Sequence, residues 1–235
     1  MSFEMDRARH IGTLPASSWG AMSKQTFTTK VMPAFGMGLL VAAAGVYGGF
    51  TVLKTAPAIA MPLLIAAVVA ELALVFTSGM WQRKEGLNRV LFFLYAALSG
   101  ATLVPLLAWA GLRGGLPVIA QALTVTAVTF GGLSLYGATT KRDFANMGGF
   151  LFIAVLALFV AGLFNIFFHS SVLSLILALG GVGIFSAFTV YQMNVIRNYY
   201  DDADWMGAAL GMFINFIGLF QSILQLFGLM SGRDD

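Results

Sequence analysis

The stretch Phe150–Phe164, FLFIAVLALFVAGLF, decides the fold class, because it runs without a charged residue and without polar alternation. A membrane β-strand alternates apolar and polar residues over about 10 positions. Backbone groups in lipid must be hydrogen-bonded inside a helix or a closed barrel. Together with its apolar flanks, the stretch forms the 22-residue window Met147–Phe168. About 20 apolar residues cross a bilayer core as a helix, so this window predicts a transmembrane α-helix.

Six more windows of this kind can be drawn along the 235 residues, and only one of 23 charged residues, Glu71, lies in any window. Charged residues make up 10% of the chain, against roughly a quarter in soluble domains. We therefore predict an all-α integral membrane protein with seven transmembrane helices over residues 31–230. Residues 1–30 and 231–235 are predicted to be tails. The six further windows are Val31–Leu53, Ala58–Met80, Val90–Leu112, Leu116–Ala138, Val172–Tyr191 and Met206–Met230.

The basic residues are distributed unevenly between the two sides of the predicted bundle. One side carries ten of them, and the other carries three: Lys54, Arg113 and Arg233. Because the richer side is normally cytoplasmic, we predict a cytoplasmic N-terminus and an external C-terminus. The basic residues form no patch, so nucleic acid is not an expected partner. The chain has no cysteine, and its short loops favour a bacterial inner membrane, with an organellar membrane as the alternative.

Glu71 is the only acidic residue predicted at membrane depth, where a charge costs at least about 2.5 kcal/mol. Ala60, Ala67 and Ser78 share its helical face, which predicts that this face packs against other helices. Two readings of Glu71 stay open. It is either a proton-responsive or cation-contacting group, or a neutral acid hydrogen-bonded to a neighbouring helix.

A stripe of small and polar residues follows one face of the last predicted helix at steps of three and four. Such a stripe does not suit a lipid-facing helix, so we predict that the last helix is central. Two roles are open: the stripe lines a polar cavity, or it packs closely with hydrogen-bonding amides. Its members are Gly207, Gly211, Asn215, Gly218, Ser222 and Gln225.

No catalytic constellation is recognisable in the sequence. A retinal protein needs a lysine in its last helix, and Met206–Met230 has none. An intramembrane serine protease needs a histidine at membrane depth, and the two histidines, His10 and His169, lie in the N-terminal tail and at a helix end. Without cysteine these two distant residues do not make a zinc site. We predict no enzymatic activity, no metal site and no cofactor.

Three stretches resemble the Bax inhibitor-1 family of membrane proteins. Gly131–Asn165 contains SLYGATTKRD, a segment of the kind that is typical between the family's fourth and fifth helices. Ile184–Tyr191, IFSAFTVY, is similar to its sixth helix, and Gly211–Gly228, GMFINFIGLFQSILQLFG, to its last. The resemblance implies seven helices with the last one central, a pH-sensitive ion or calcium leak, and a role in stress or cell-death control.

The chain departs from the family where leak-type members carry two proton-sensing aspartates. Here the matching positions are Gln192 and Asn215, and amides do not titrate. We therefore expect a passive cation leak, calcium being the family's candidate, with altered or absent pH gating. Glu71, Gln192 and Asn215 are expected to line the path.

The alternative is a non-conducting regulatory subunit that binds other membrane proteins, such as a membrane protease. The acidic run Asp201, Asp202 and Asp204 would then be either its docking edge or an ordinary solvated loop. The lipid bilayer is a partner in both cases.

Overall fold

The computed structural model describes residues 22–231, so most of the predicted N-terminal tail and all but the first residue of the predicted C-terminal tail lie outside the described residues. Seven helices of at least 16 residues make up this described part, which has no strand. They are α1 (Lys24–Thr55), α2 (Pro57–Phe76), α3 (Leu87–Thr102), α4 (Val104–Thr139), α5 (Gly148–Phe168), α6 (Ser171–Asn198) and α7 (Trp205–Ser231). The predicted all-α membrane fold is confirmed.

The third and fourth predicted windows lie in the stretch Leu87–Thr139, of 53 residues, in which the chain kinks at Gly115 between two helical segments. Such a stretch would measure about 80 Å if straight, more than twice the bilayer core of roughly 30 Å. Gly115 breaks it with φ 68° and ψ −166°, a conformation that glycine adopts without a steric penalty. Pro117 follows directly and starts the returning segment. The described residues thus contain six apolar helical stretches and seven crossings.

α1 begins at Lys24, earlier than the predicted window start at Val31. The Ser23 hydroxyl accepts a hydrogen bond from the Thr26 backbone N–H and caps this extension. Residues Phe27–Val31 form a π-helical turn that ends two residues before Pro33. Proline lacks the N–H that a regular turn would use there. Residues 24–30, which the sequence assigned to the tail, are therefore helical and continuous with the first crossing.

α7 lies at the centre of the bundle, as predicted. It packs mainly against α4 and α6, and also against α1 and α3. α2 lies outside this group on α3 and α1, and α5 lies outside it on α6. Phe213 of α7 is fully buried, with its ring in edge contact with Phe92 and Tyr95 of α3. A large apolar residue thus fills the centre of the bundle on the α3 side.

Glycines bring the backbones of α1 and α3 into direct contact. A Cβ atom added at Gly100 would overlap with the Ala42 carbonyl oxygen, and one added at Gly45 would overlap with the Ala97 carbonyl oxygen. Close approach through small residues is the usual way helices associate in lipid, where apolar burial alone provides little driving force.

The loops that carry most of the basic residues lie together at one end of the bundle, which we call the basic end. The Ser23 backbone N–H donates to Asp202 (2.8 Å), and the Arg83 guanidinium pairs with Asp204 (2.7 Å). These contacts join the start of α1, the α2–α3 loop and the α6–α7 loop. The alternation of loops between two ends agrees with the predicted seven crossings. Assignment of the basic end to the cytoplasm stays a prediction.

Candidate functional site

The interface between α6 and α7 pairs small residues on one helix with larger ones on the other. A Cβ atom at Gly218 would overlap with the Phe185 ring, and one at Gly181 would overlap with the Ser222 hydroxyl. One at Gly211 would lie 2.5 Å from Gln192 Nε2. Successive pairs have the same spacing along both helices, which run antiparallel. The stripe predicted on the last helix is therefore mainly its contact surface with α6.

Gln192 and Asn215 both lie at this interface, about one helical turn apart. Their side chains are only 6% and 2% exposed. Gln192 rests on Gly211, and Asn215 follows Gly211 by one turn on the same face of α7. The Nε2 atom of Gln192 and the Nδ2 atom of Asn215 are both buried without a hydrogen-bond partner. A buried donor without a partner costs about 1–3 kcal/mol, so both amides are suited to holding water or a ligand.

A cavity of about 420 Å³ lies between α5, α6 and α7, towards the end opposite the basic end. Its polar lining comes from Asn165 of α5 and from Gln221, Ser222 and Gln225 of α7. At about 30 Å³ for each water, it has room for roughly a dozen waters. Two predicted members of the stripe, Ser222 and Gln225, thus line a cavity that has four polar side chains among apolar ones.

The stripe therefore serves both roles that the sequence left open. Gly207 packs against the Gln82 side chain, since a Cβ atom there would lie 2.6 Å from Gln82 Oε1. Gly211 and Gly218 receive side chains of α6 in the same way. The Ser222 hydroxyl donates to the Gly218 carbonyl (2.8 Å) and faces the cavity with its other side. Close packing operates along the basic half of α7, and cavity lining operates along the opposite half.

Glu71 is not part of this site. It lies on α2, which packs on α3 and α1, and it accepts a hydrogen bond from the Thr102 hydroxyl of α3 (2.8 Å). No basic side chain forms an ion pair with it within residues 22–231. Ala60 and Ala67 are the buried residues of α2, as the predicted packing face requires. The structure thus divides the three predicted path residues between two locations.

Asn194 is a structural residue to which the sequence pattern assigns no particular role. Its side chain is fully buried at the basic end of α6. Nδ2 donates to the Arg142 carbonyl (3.0 Å), and Oδ1 accepts from the Phe144 backbone N–H (3.1 Å). It therefore holds the α4–α5 loop on α6. The only sequence signal was its place among the amides near the end of an apolar helix, which also include Gln192 and Asn198.

The same loop is held by a second contact outside the membrane-spanning segments. The Tyr199 hydroxyl donates to Asp143. This hydrogen bond, together with one from the Ala145 backbone N–H, holds the pKa of the Asp143 carboxyl below its ordinary value. The loop that carries the family-like segment is thus tied to the end of α6 at both Asn194 and Tyr199.

The acidic run between α6 and α7 is engaged within the chain. Asp201 accepts hydrogen bonds from the Ala203 and Asp204 backbone N–H groups, forming a capping box. Asp202 binds Ser23, and Asp204 binds Arg83. Three elements of the basic end are joined through this run, so its carboxylates serve internal contacts.

Comparison with known proteins gives a consistent result. The sequence profile of the family described as inhibitor of apoptosis-promoting Bax1 matches residues 24–232. An uncharacterized protein of Helicobacter pylori strain J99 is 34% identical over 210 residues, 89% of each chain. The protein Cj0236c of Campylobacter jejuni is 31% identical over 232 residues, 98% of this chain and 97% of the relative. The inner membrane protein YbhL of Escherichia coli K12 is 34% identical over 177 residues, 70% of this chain and 74% of the relative.

Proposed function

The chain belongs to the Bax inhibitor-1 family, and from this membership we propose that it is a passive cation leak protein without enzymatic activity. Calcium is the proposed cation. The path runs along the α6–α7 interface, past Gln192 and Asn215, into the cavity lined by Ser222 and Gln225. The relative YbhL is an inner membrane protein, and we propose the same membrane for this chain, with the basic end in the cytoplasm.

The observation that carries this proposal is the pair of buried amides, whose nitrogens lack hydrogen-bond partners. An apolar pair would pack there at a lower cost in free energy, because an unpaired amide pays its desolvation without compensation. The unpaired N–H groups themselves do not bind a cation, but each amide also carries a carbonyl oxygen, and such oxygens can replace part of a cation's hydration shell. A path that binds cations weakly through neutral oxygens supports passive movement, since strong binding would hold the ion in place.

We expect the flux to depend on the Asn215 amide. Purified protein reconstituted in liposomes that contain a calcium indicator should show a calcium influx that Asn215→Leu reduces by about tenfold, as expected when a polar element of a path becomes apolar. The matched control is Gln121→Leu, because Gln121 is an exposed amide on α4 and not part of the proposed path. An equal loss in both variants would contradict the proposed path. No flux in the wild-type protein would end the leak proposal.

We also expect that restoring two carboxylates restores pH dependence. The wild-type pair cannot titrate, so the calcium flux should change little between about pH 5 and about pH 8, the range over which a carboxylate pair exchanges its shared proton. The double variant Gln192→Asp, Asn215→Asp places two acids at one interface, where they share a proton. Its flux should become strongly pH-dependent. A pH-independent double variant would show that these positions do not gate the path.

Glu71 allows a further test of the pH dependence of the flux. If the wild-type flux does vary with pH, Glu71 is the proposed origin, because it is the acidic residue at membrane depth and its carboxylate binds Thr102 across the α2–α3 contact. Glu71→Gln keeps the acceptor oxygen for the Thr102 hydroxyl and removes the titration. This variant would then abolish the residual pH response while leaving the Asn215-dependent flux in place.

A second candidate function, that of a subunit binding other membrane proteins, is favoured by a lateral groove. The groove, of about 770 Å³, lies between α1, α2 and α3 and is lined almost entirely by glycine, alanine and other apolar residues, including Gly48, Ala66 and Ala70. Small residues admit a second helix at close range. Purification in mild detergent with wild-type protein and with Ala66→Trp would separate the two candidates. A partner lost from Ala66→Trp supports the subunit, and a monomer in both cases counts against it.

A further inference from the structure

The Phe185 ring occupies the point where the α6–α7 interface changes from close packing to cavity. Phe185 itself lines the cavity, together with Gly181 and Ser222. Its ring also covers Gly218 so closely that a Cβ atom there would overlap with three ring carbons. The ring therefore touches the cavity on one side and the backbone of α7 on the other.

The order of residues along α7 places this ring between the cavity and the amide pair. Asn215 precedes Gly218 by one turn, and Ser222 follows Gly218 by one turn. Along α6 the order is matched, since Gln192 lies beyond Phe185 on the basic side and Gly181 lies on the cavity side. Any route along this interface from the cavity to Asn215 passes the Phe185 ring.

An aromatic ring in this position excludes water from the segment behind it. Apolar constrictions close pores by dewetting, without a need for a charged barrier. The buried amide nitrogens of Gln192 and Asn215 lie behind the ring, and the polar cavity lies in front of it. Gly218 allows the Phe185 ring to pack against α7, because any larger residue at position 218 would occupy the space of the ring.

We propose that Phe185 is the gate of this path. When its ring packs on Gly218, it separates the cavity from Gln192 and Asn215. When the ring rotates into the cavity, the cavity and the two amides are connected. The cavity of about 420 Å³ beside the ring provides the space for this movement. The inference rests on the proposed leak function for its physiological meaning. The closure itself is a property of the interface, and it can be measured without any ion flux.

The absence of cysteine from the chain makes thiol accessibility a direct test. Ser222→Cys and Asn215→Cys are each prepared with Phe185 intact and with Phe185→Ala, and reacted from the cavity side with a membrane-impermeant cationic methanethiosulfonate. Ser222→Cys should react in both backgrounds. Asn215→Cys should react about tenfold faster, or more, in the Phe185→Ala background, as expected when a dewetted segment becomes hydrated. Equal reaction rates of Asn215→Cys in both backgrounds, whether fast or absent, would overturn the gate.

Two further variants separate the effect of the gate from effects on folding, and flux measurements separate the gate from the proposed leak. Phe152→Ala removes a ring of the same size from the exposed face of α5 and should leave the Asn215→Cys rate unchanged. Phe185→Leu is the milder variant if Phe185→Ala does not fold, and it should give an intermediate rate. In liposomes Phe185→Ala should raise the calcium flux by about tenfold. If wild-type flux depends on Asn215 but Phe185→Ala changes neither flux nor accessibility, only the gate is wrong. If accessibility changes as expected while no variant conducts, only the leak is wrong.

Discussion

Replacing Gly100 by leucine is expected to disrupt the packing of α1 on α3 and to lower the stability of the protein by about 3 kcal/mol or more. The cause is steric, because even a Cβ atom at Gly100 would overlap with the Ala42 carbonyl oxygen. That oxygen belongs to the backbone of α1, so a rotamer change cannot relieve the overlap, and the two helices must separate. Thermal unfolding in detergent, followed by circular dichroism, measures the loss.

The control for this prediction is a glycine with free space around it. Gly131 lies on the exposed face of α4, and no atom lies within 4 Å of a Cβ added there. Gly131→Leu should therefore unfold within a few degrees of the wild-type protein, and it should gain slightly in helix propensity. If Gly131→Leu and Gly100→Leu lose the same stability, the loss would come from replacing any glycine by leucine and not from the α1–α3 contact.

Replacing Asn194 by leucine is expected to release the α4–α5 loop from α6. The substitution removes the acceptor for the Phe144 backbone N–H and the donor to the Arg142 carbonyl at once. Both hydrogen bonds are partly buried, and the loss of each costs about 0.5–1.5 kcal/mol. Because Lys141 and Arg142 lie in this loop, trypsin cleavage after them in the folded protein reports the release. We expect cleavage about tenfold faster than in the wild-type protein, as local opening of this cost allows.

Two variants show whether the paired hydrogen bonds are responsible. Asn146→Leu changes an exposed asparagine of the same loop, and it should leave the cleavage rate near the wild-type value. Asn194→Asp keeps an acceptor for Phe144 and loses the donor to Arg142, so its rate should fall between wild type and Asn194→Leu. A wild-type cleavage rate for Asn194→Leu would mean that the contacts of Tyr199 with Asp143 and of Arg197 with the Ala138 and Thr140 carbonyls suffice to hold the loop.

Several features of the fold were predictable because they depend on composition along the chain. Apolar runs such as Phe150–Phe164 specify crossings, since lipid admits few other backbone arrangements. The small and polar stripe through Gly211 and Asn215 indicated the central helix, because a lipid-facing helix has no need of it. Family membership could be predicted as well, because the resemblance lies in contiguous segments such as Ser134–Asp143.

Other features could not be read from spacing. The break between the third and fourth crossings lies in the gap between the two predicted windows, but the backbone conformation of Gly115 that makes the kink could not be read from that gap. The start of α1 at Lys24 was missed because its charged residues suggest a tail, although a helix can extend beyond the lipid. The role of Asn194 depends on a loop that lies about 50 positions away along the chain.

The sequence by itself determined that this protein crosses a membrane seven times, that its last helix is central, and which polar residues enter the lipid-depth segments. The tertiary structure alone decided how those polar residues are grouped. Glu71 faces Thr102 on the α2–α3 contact, whereas Gln192 and Asn215 both lie between α6 and α7, with Phe185 between them and the cavity. The reason is physical: the crossings follow from the local cost of placing each residue in lipid, while the groupings follow from which helix faces fit together, and that fit depends on glycines and rings far apart in the chain.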